Sequence, residues 1–392
     1  MSPPLTGVKV VELGNLIAAP YCGMLLADLG AEVTKVEPLD GDLARRIGPF
    51  VAGESVFFTS VNRGKRSLSA DLRDARVMTH VSELCARAKV VVHNLRVGAL
   101  DALGLGYQRL SGINPGLVYA GISAFGADGP YATRAGIDLI FQGESGMMSI
   151  TGEPGDPPHK TATTIGDFVA GTNAALAVCA ALYQGAGRLI DVSLRDGLIA
   201  VQAGWNALYF ASSSQPPRTG TSSPVTAPNQ TFRTGDGCLN VAIVSDRHFR
   251  SLCEVIGVAP LANDPRFATN ELRVANRSVL GELIEEVLVT DTTDAWFARL
   301  DRAGLPVGRL LSLDEVFSDP QVLHNQMLLE MDHPRAGRLR MQGSAIRMGE
   351  VRNVATSPPP LLGQHTAEVL AELGVSKGEI EGLAHEGLVV LG

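Results

Sequence analysis

The chain has 392 residues, 45% of them hydrophobic and 19% charged, with a formal net charge of −8 at pH 7. This composition excludes a disordered polypeptide, and the length suggests two domains rather than one core. The negative balance excludes a general attraction to nucleic acid or an anionic membrane, so a polyanionic ligand would need a local basic cluster.

The opening "MSPPLTGVKV" has no basic segment followed by an apolar core, so no secretory signal is expected. "VKVVELG", Val8 to Gly14, reads as a buried strand. Cys22, Leu25, Leu26 and Leu29 then recur at helical spacing, with Gly30 as the closing residue. "AEVTKVE" is the next strand, and a second unit follows with helix "RDARVMTHVSELCARA" and strands "KVVVHN" and "LVYAGIS". Strands alternating with helices predict a mostly parallel sheet in an α/β layer domain.

"TTIGDFVAGT" places Asp167 before an alanine-rich run, where its carboxylate would serve as a helix N-cap. The apolar segment from Ala174 to Tyr183 is too short to span a bilayer and reads as a buried core helix. After Phe210 the composition changes to the linker-like "ASSSQPPRTGTSSPVTAPNQ". A strand pair in "QTFRTGDGCLNVAIV" and several helices follow, ending near Asp319, before a second proline-rich stretch, "VATSPPPLLGQHT". The expected organisation is a large α/β domain over 1–210, a linker and small domain over 211–330, and a segment over 331–392 that returns to the large domain.

The five cysteines form no C-x-x-C pair and no metal-ligand spacing with histidine, which favours reduced thiols, a cytoplasmic location and no metal. The turn after the first strand reads "GNLIAAPYCG" rather than G-x-G-x-x-G, which weakens a dinucleotide dehydrogenase. "NRGKRS" lacks the first glycine of a P-loop, "GESG" is no nucleophile elbow, and H-E-x-x-H is absent. Carboxylate chemistry remains open. Arg63, Lys65, Arg66, Arg73 and Arg96 form the basic cluster that a polyanion would require, against the bland alternative of a solvated face.

Several stretches together resemble the class III coenzyme A transferases, the family of formyl-CoA transferase, carnitine CoA-transferase and α-methylacyl-CoA racemase. They are "VVELGNLIAAPYCGMLLADLGAEVTKVEPLDGD", "NRGKRSLSADL", "VVVHNLRVGALDALGLGY", "NPGLVYAGISAFGADGPYA", "AGIDLIFQGESGMMSITG", "GDFVAGTNAALAVCAALY", "LANDPRFATNELRVANR" and "DPQV". The resemblance covers nearly the whole chain in order. It implies a large Rossmann-like parallel-sheet domain, a smaller α+β domain and a homodimer of interlocked rings.

It also implies that Asp167 attacks an acyl-CoA thioester and that Asp138 is a supporting acid; a helix N-terminus near Asp167 would keep it ionised. Leu16, Ile17 and Ala18 would line the pantetheine path; Ala70, Leu72 and Arg73 would lie near the adenine. Asn94, Leu95 and Arg96 would sit beside the nucleotide, followed by Ala102 and Leu103 in "LDALG", where relatives often carry Arg at the position of Ala102. The bound substrates would be coenzyme A as its acyl thioester and a small carboxylic acid. A racemase needs a second acid/base residue where Ile137 stands, and neither His93 nor His159 falls in that motif, so racemization is disfavoured. A non-catalytic CoA-binding paralogue is the remaining alternative.

Overall fold

The computed structural model describes residues 2–349, 351–352 and 354–392. The chain forms two compact units, Met1–Met147 with Lys160–Ala211 and Pro320–Gly392, and Met148–His159 with Ser212–Asp319. Composition places the boundaries at 210 and 330; in the fold the return to the first unit comes at Pro320, and the short 148–159 segment groups with the second.

The first unit is built on a seven-stranded sheet. In spatial order its strands are Val389–Val390, Lys65–Ala70, Glu32–Glu37, Lys9–Leu13, Val90–His93, Val118–Ser123 and Arg188–Ser193. All neighbours are parallel except the edge strand Val389–Val390, which pairs antiparallel with Lys65–Ala70. The sheet is covered on both faces, which explains why strands such as "KVVEL" and "VVVH" are buried along almost their whole length. Val10, Val33, Val90 and Val92 point into one core with Ala18, Cys22, Leu26, Ala170, Ala174 and Val178. Val11, Leu13, Val36 and Val91 point into the other with Val77, Val81, Cys85 and Leu383.

The chain starts at the Lys9–Leu13 strand and builds outward on one side, then crosses to Val90–His93 and builds on the other. The strand order therefore reverses between these two strands. In open α/β sheets such a reversal opens a crevice beyond the carboxyl ends of the strands. Leu13–Gly14 and His93–Asn94 lie at that crevice.

The helix expected after Asp167 begins two residues before it. It runs Ile165–Gln184 over 20 residues, so Asp167 lies in its first turn and Thr164, not Asp167, is the capping position. It is also not the wholly buried core helix predicted from its alanines. Gly166, Ala170, Gly171, Ala174, Val178 and Ala181 are buried, whereas Leu176 is 69% and Tyr183 97% exposed. By length and composition alone this helix could cross a membrane.

The second unit carries a three-stranded antiparallel sheet, Val307–Arg309, Cys238–Ala242 and Asn229–Arg233, the last two paired with Asn240 opposite Thr231. Helices Asp246–Val255, Arg277–Leu288 and Thr293–Arg302 pack Phe249, Leu252, Leu280, Ile284, Trp296 and Leu300 against Phe232, Leu239 and Val241. The buried Arg273 donates to Ala227 O, Phe267 O and Asp246 Oδ1, which compensates its desolvation.

Candidate active site

Two helix starts meet in the first unit. Helix Ala18–Asp28 follows the turn after the first strand, and helix Ile165–Gln184 packs across it. The approach is close because Gly171 has no side chain: a Cβ there would lie 2.6 Å from Ala18 O. One residue on from Asp167, Phe168 meets Tyr21 edge-on at 4.8 Å between ring centroids. These contacts bring Asp167 to the same end of the helix pair as Leu16, Ile17 and Ala18.

Asp167 is partly buried, and burial together with the nearby Asp138 carboxylate pushes its pKa up to about 7. A helix N-terminus by itself favours the ionised form, whereas burial and the neighbouring acid shift Asp167 toward the protonated one. Asp138 is itself fixed. Its Oδ1 accepts from Gly166 N at 2.8 Å and its Oδ2 from Gln142 Nε2 at 2.6 Å. Gln142, fully buried, uses its Oε1 to accept from Thr161 N at 2.8 Å. Gly166 allows this closeness, since a Cβ there would come within 3.0 Å of Asp138 Oδ1. The "GD" pair thus supplies a carboxylate and the room for a second one. Gln142 escaped sequence reasoning, although it lies on the same helix as Asp138, four residues on.

Beyond the carboxyl ends of the central strands lies a cavity of about 540 Å³, within the usual range for small-molecule sites. Leu13, Gly14, Asn15, Val36, Ala70, Leu72, Arg73 and Leu95 line it. Ala70, Leu72, Arg73 and Leu95 are therefore brought together in one cavity. Arg96 lines a second cavity of about 260 Å³ that shares Leu95, and among the described residues it has no side-chain hydrogen bond. Asn94 is spent on structure: its Oδ1 accepts from Asn15 N and its Nδ2 donates to Asn15 O, both at 2.8 Å. Ala102 and Leu103 line neither cavity, and Leu103 packs against the core instead.

The basic cluster is largely dismantled by the fold. Arg63 is buried and paired with Asp28, Lys65 is buried against Glu12, and Arg66 pairs with Glu372. Arg73 is 85% exposed in its side chain but pairs with Asp71 through two hydrogen bonds of 2.8 Å, so of the five cations Arg96 alone has no ion pair among the described residues. Sequence spacing puts these cations together but cannot show which ones carboxylates from other strands and helices neutralise.

Ile137 stands at the start of helix Asp138–Glu144, 65% exposed, and its hydrocarbon cannot carry a proton. His93 lies at a strand end against Tyr119, and burial lowers its pKa to about 4. Among the described residues no group of three His, Cys, Asp or Glu could hold a metal ion.

A doubly covered α/β sheet with a ligand-sized cavity at its switch point, and a carboxylate of raised pKa in the same unit, defines an α/β protein with an enzyme-like site. The sequence profile of CoA-transferase family III matches residues 5–366. Over 393 residues the chain is 37% identical to succinyl-CoA:glutarate CoA-transferase of Mus musculus, covering 98% of this chain and 90% of that one. Over 384 residues it is 38% identical to succinate–glutarate CoA-transferase of Agrobacterium fabrum, covering 95% and 96%. The crystal structure of a CaiB/BaiF family protein from Brucella suis matches with a TM-score of 0.85 at 38% identity, covering 95% of this chain and all of that one. The chain belongs to CoA-transferase family III. It is a transferase that moves CoA between an acyl-CoA and a carboxylic acid.

Proposed function

We propose that Asp167 is the nucleophile of this transfer and that the acids exchanged are small dicarboxylates, succinyl-CoA being the donor. The observation that carries the reading is a partly buried carboxylate of raised pKa on the first turn of a helix that packs, through Phe168 and Gly171, against Tyr21 and Ala18. A carboxylate oxygen of Asp167 attacks the thioester carbonyl. The C–S bond breaks, giving an acyl-aspartyl anhydride and CoA thiolate. The thiolate then attacks the aspartyl carbonyl of the anhydride, releasing the donor acid as carboxylate and leaving an aspartyl-CoA thioester. The acceptor carboxylate repeats both steps in reverse, and Asp167 is regenerated. Each intermediate, anhydride or aspartyl thioester, preserves the activation of the starting thioester, so no nucleotide triphosphate is consumed.

The dicarboxylate preference rests on the names of the relatives, which act between succinyl and glutaryl groups. In this reading Arg96, exposed at its cavity and without an ion pair, meets a phosphate of CoA, and the exposed Arg73 would have to exchange its Asp71 partner to meet another. The chain works as a homodimer of interlocked rings. Supporting this is an uncovered apolar surface on the first unit: Leu176, Tyr183, Leu189, Tyr209 and Phe210 are all exposed, and no residue of helix Ala203–Ser212 is buried.

Intact mass spectrometry after incubation with succinyl-CoA tests the mechanism. The wild type should carry a CoA adduct that hydroxylamine removes, converting Asp167 to its hydroxamate, whereas Asp167→Asn should carry none. An adduct on another residue would overturn the assignment.

A further inference from the structure

We propose that Lys35 and Asp42 are positioning residues that hold the acyl-CoA-binding turn, Gly14 to Ala18, in its binding shape before substrate arrives; this rests on the proposed function above. The turn is unfavourable by itself. Leu16 has φ +63°, a left-handed conformation that side chains rarely adopt. Such a residue persists only where its surroundings over-determine it.

The surroundings do so here with side chains. Lys35 Nζ, completely buried, donates to Gly14 O at 2.7 Å and pairs with Asp42 Oδ2 at 2.8 Å. Asp42 Oδ1 accepts from Leu16 N at 3.0 Å and from Ala44 N at 2.8 Å. Asn94 takes both backbone groups of Asn15 between these points. The pair therefore grips the turn on either side of the residue that Asn94 holds. Glu12 supports the arrangement from below, pairing with Lys35 at 2.8 Å and with Lys65 at 2.7 Å. Lys65 in turn donates to Pro20 O in the first turn of the following helix.

A buried ion pair is poor stabilising material, because desolvation offsets much of its attraction. What distinguishes this one is where its spare hydrogen bonds go: to the backbone of a strained turn at the switch-point cavity. Arg63 and Asp28 form a comparably buried pair, but they tie the last residue of helix Ala18–Asp28 to Gln342 O and Ala355 N. That second pair provides the control.

The experiment compares wild type, Asp42→Asn, the double variant Lys35→Met/Asp42→Asn and the control Arg63→Met/Asp28→Asn in the full chain. The amide introduced by Asp42→Asn must either face the Lys35 ammonium with its NH₂ or give up the Leu16 N–H, so the near-isosteric change loosens the turn. In the double variant the clash is gone but so is the donor to Gly14 O. Both should raise KM for succinyl-CoA and Kd for free CoA about tenfold, with KM for glutarate within about twofold. The control should lose thermal stability and leave all three constants unchanged. Unchanged constants in folded Asp42→Asn, or an equal rise in the control, would overturn the proposal. Independently of any variant, the Asn15 and Leu16 amides of the free wild type should exchange hydrogen as slowly as the central strands; fast exchange there would also overturn it. Failure of the transfer mechanism itself reads out differently, as absence of the CoA adduct on wild type.

Discussion

Asp167, with its pKa near 7, holds a proton about half the time at neutral pH. A nucleophile must be ionised, so kcat/KM for transfer should rise with pH through about 7 and level off above it. Asp138→Asn removes one of the two causes of the shift and should move that limb lower by about one unit; an unmoved pH–rate profile would separate the limb from Asp167. The same shift has a cost in stability. Its folded pKa lies above the unfolded value, so the contribution of Asp167 is full below about 4 and is lost as pH rises through about 7. Asp167→Asn should therefore abolish transfer yet be more stable than wild type at pH 8, by up to about 4 kcal/mol for a shift of about three units, and show no gain at pH 4. Thermal melts at both pH values check the sign. Arg96→Ala should weaken CoA binding by about 1.5–3 kcal/mol, the loss of a charge-assisted hydrogen bond. Calorimetry with CoA and with dephospho-CoA would show which phosphate it meets, and an unaltered affinity would leave Arg96 as a solvated surface cation.

Helix Ile165–Gln184 owes its position to small residues. Gly166, Ala170, Gly171, Ala174 and Ala181 line the buried face, and helix Ala18–Asp28 presents Ala18, Ala19 and Cys22 in return. Closeness, not apolar bulk, is what this interface secures. Gly171→Ala would place a methyl group 2.6 Å from Ala18 O, so the helices must separate. The expected result is a loss of about 1–3 kcal/mol in stability, with a fall in kcat/KM because Asp167 moves relative to the Leu16–Ala18 turn. Gly112→Ala, in a helix where a Cβ meets nothing within 4 Å, is the matched control and should leave both quantities unchanged. Equal behaviour of the two variants in thermal melts and initial rates would remove the close approach from the account.

On the scale of the whole molecule, the uncovered face of the first unit sets the expectation. Leu176 and Tyr183 point outward from the same 20-residue helix whose other face is core. Interlocked rings would bury far more than a standard interface of ~1,600 Å², and rings cannot part without local unfolding. Sedimentation at nanomolar protein should accordingly show a dimer, and Leu176→Asp should lower its stability or yield. A folded, freely exchanging monomer at that dilution would refute the interlocked arrangement.

Much of the fold was legible in the sequence because its signals are local. Apolar runs such as "KVVEL" and "VVVH" are long enough to mark strands buried on both faces, and "QTFRTGDGCLNVAIV" alternates around a Gly-Asp-Gly turn that pairs as read. Asp167 and Asp138 could also be picked out, since motif order and spacing along the chain carry them. What the tertiary structure alone decided is which polar groups are already satisfied. Arg63 and Lys65 look available in "NRGKRS" but are cancelled by Asp28 and Glu12 from elements dozens of residues away. Nothing in the spacing of Asn94 shows that its side chain clamps the Asn15 backbone. The upward shift of Asp167 likewise depends on burial and on Asp138, far earlier in the chain, being folded against Gly166. Hydrophobic period is a property of neighbours in sequence, whereas charge compensation and desolvation are properties of neighbours in space, and only folding chooses those.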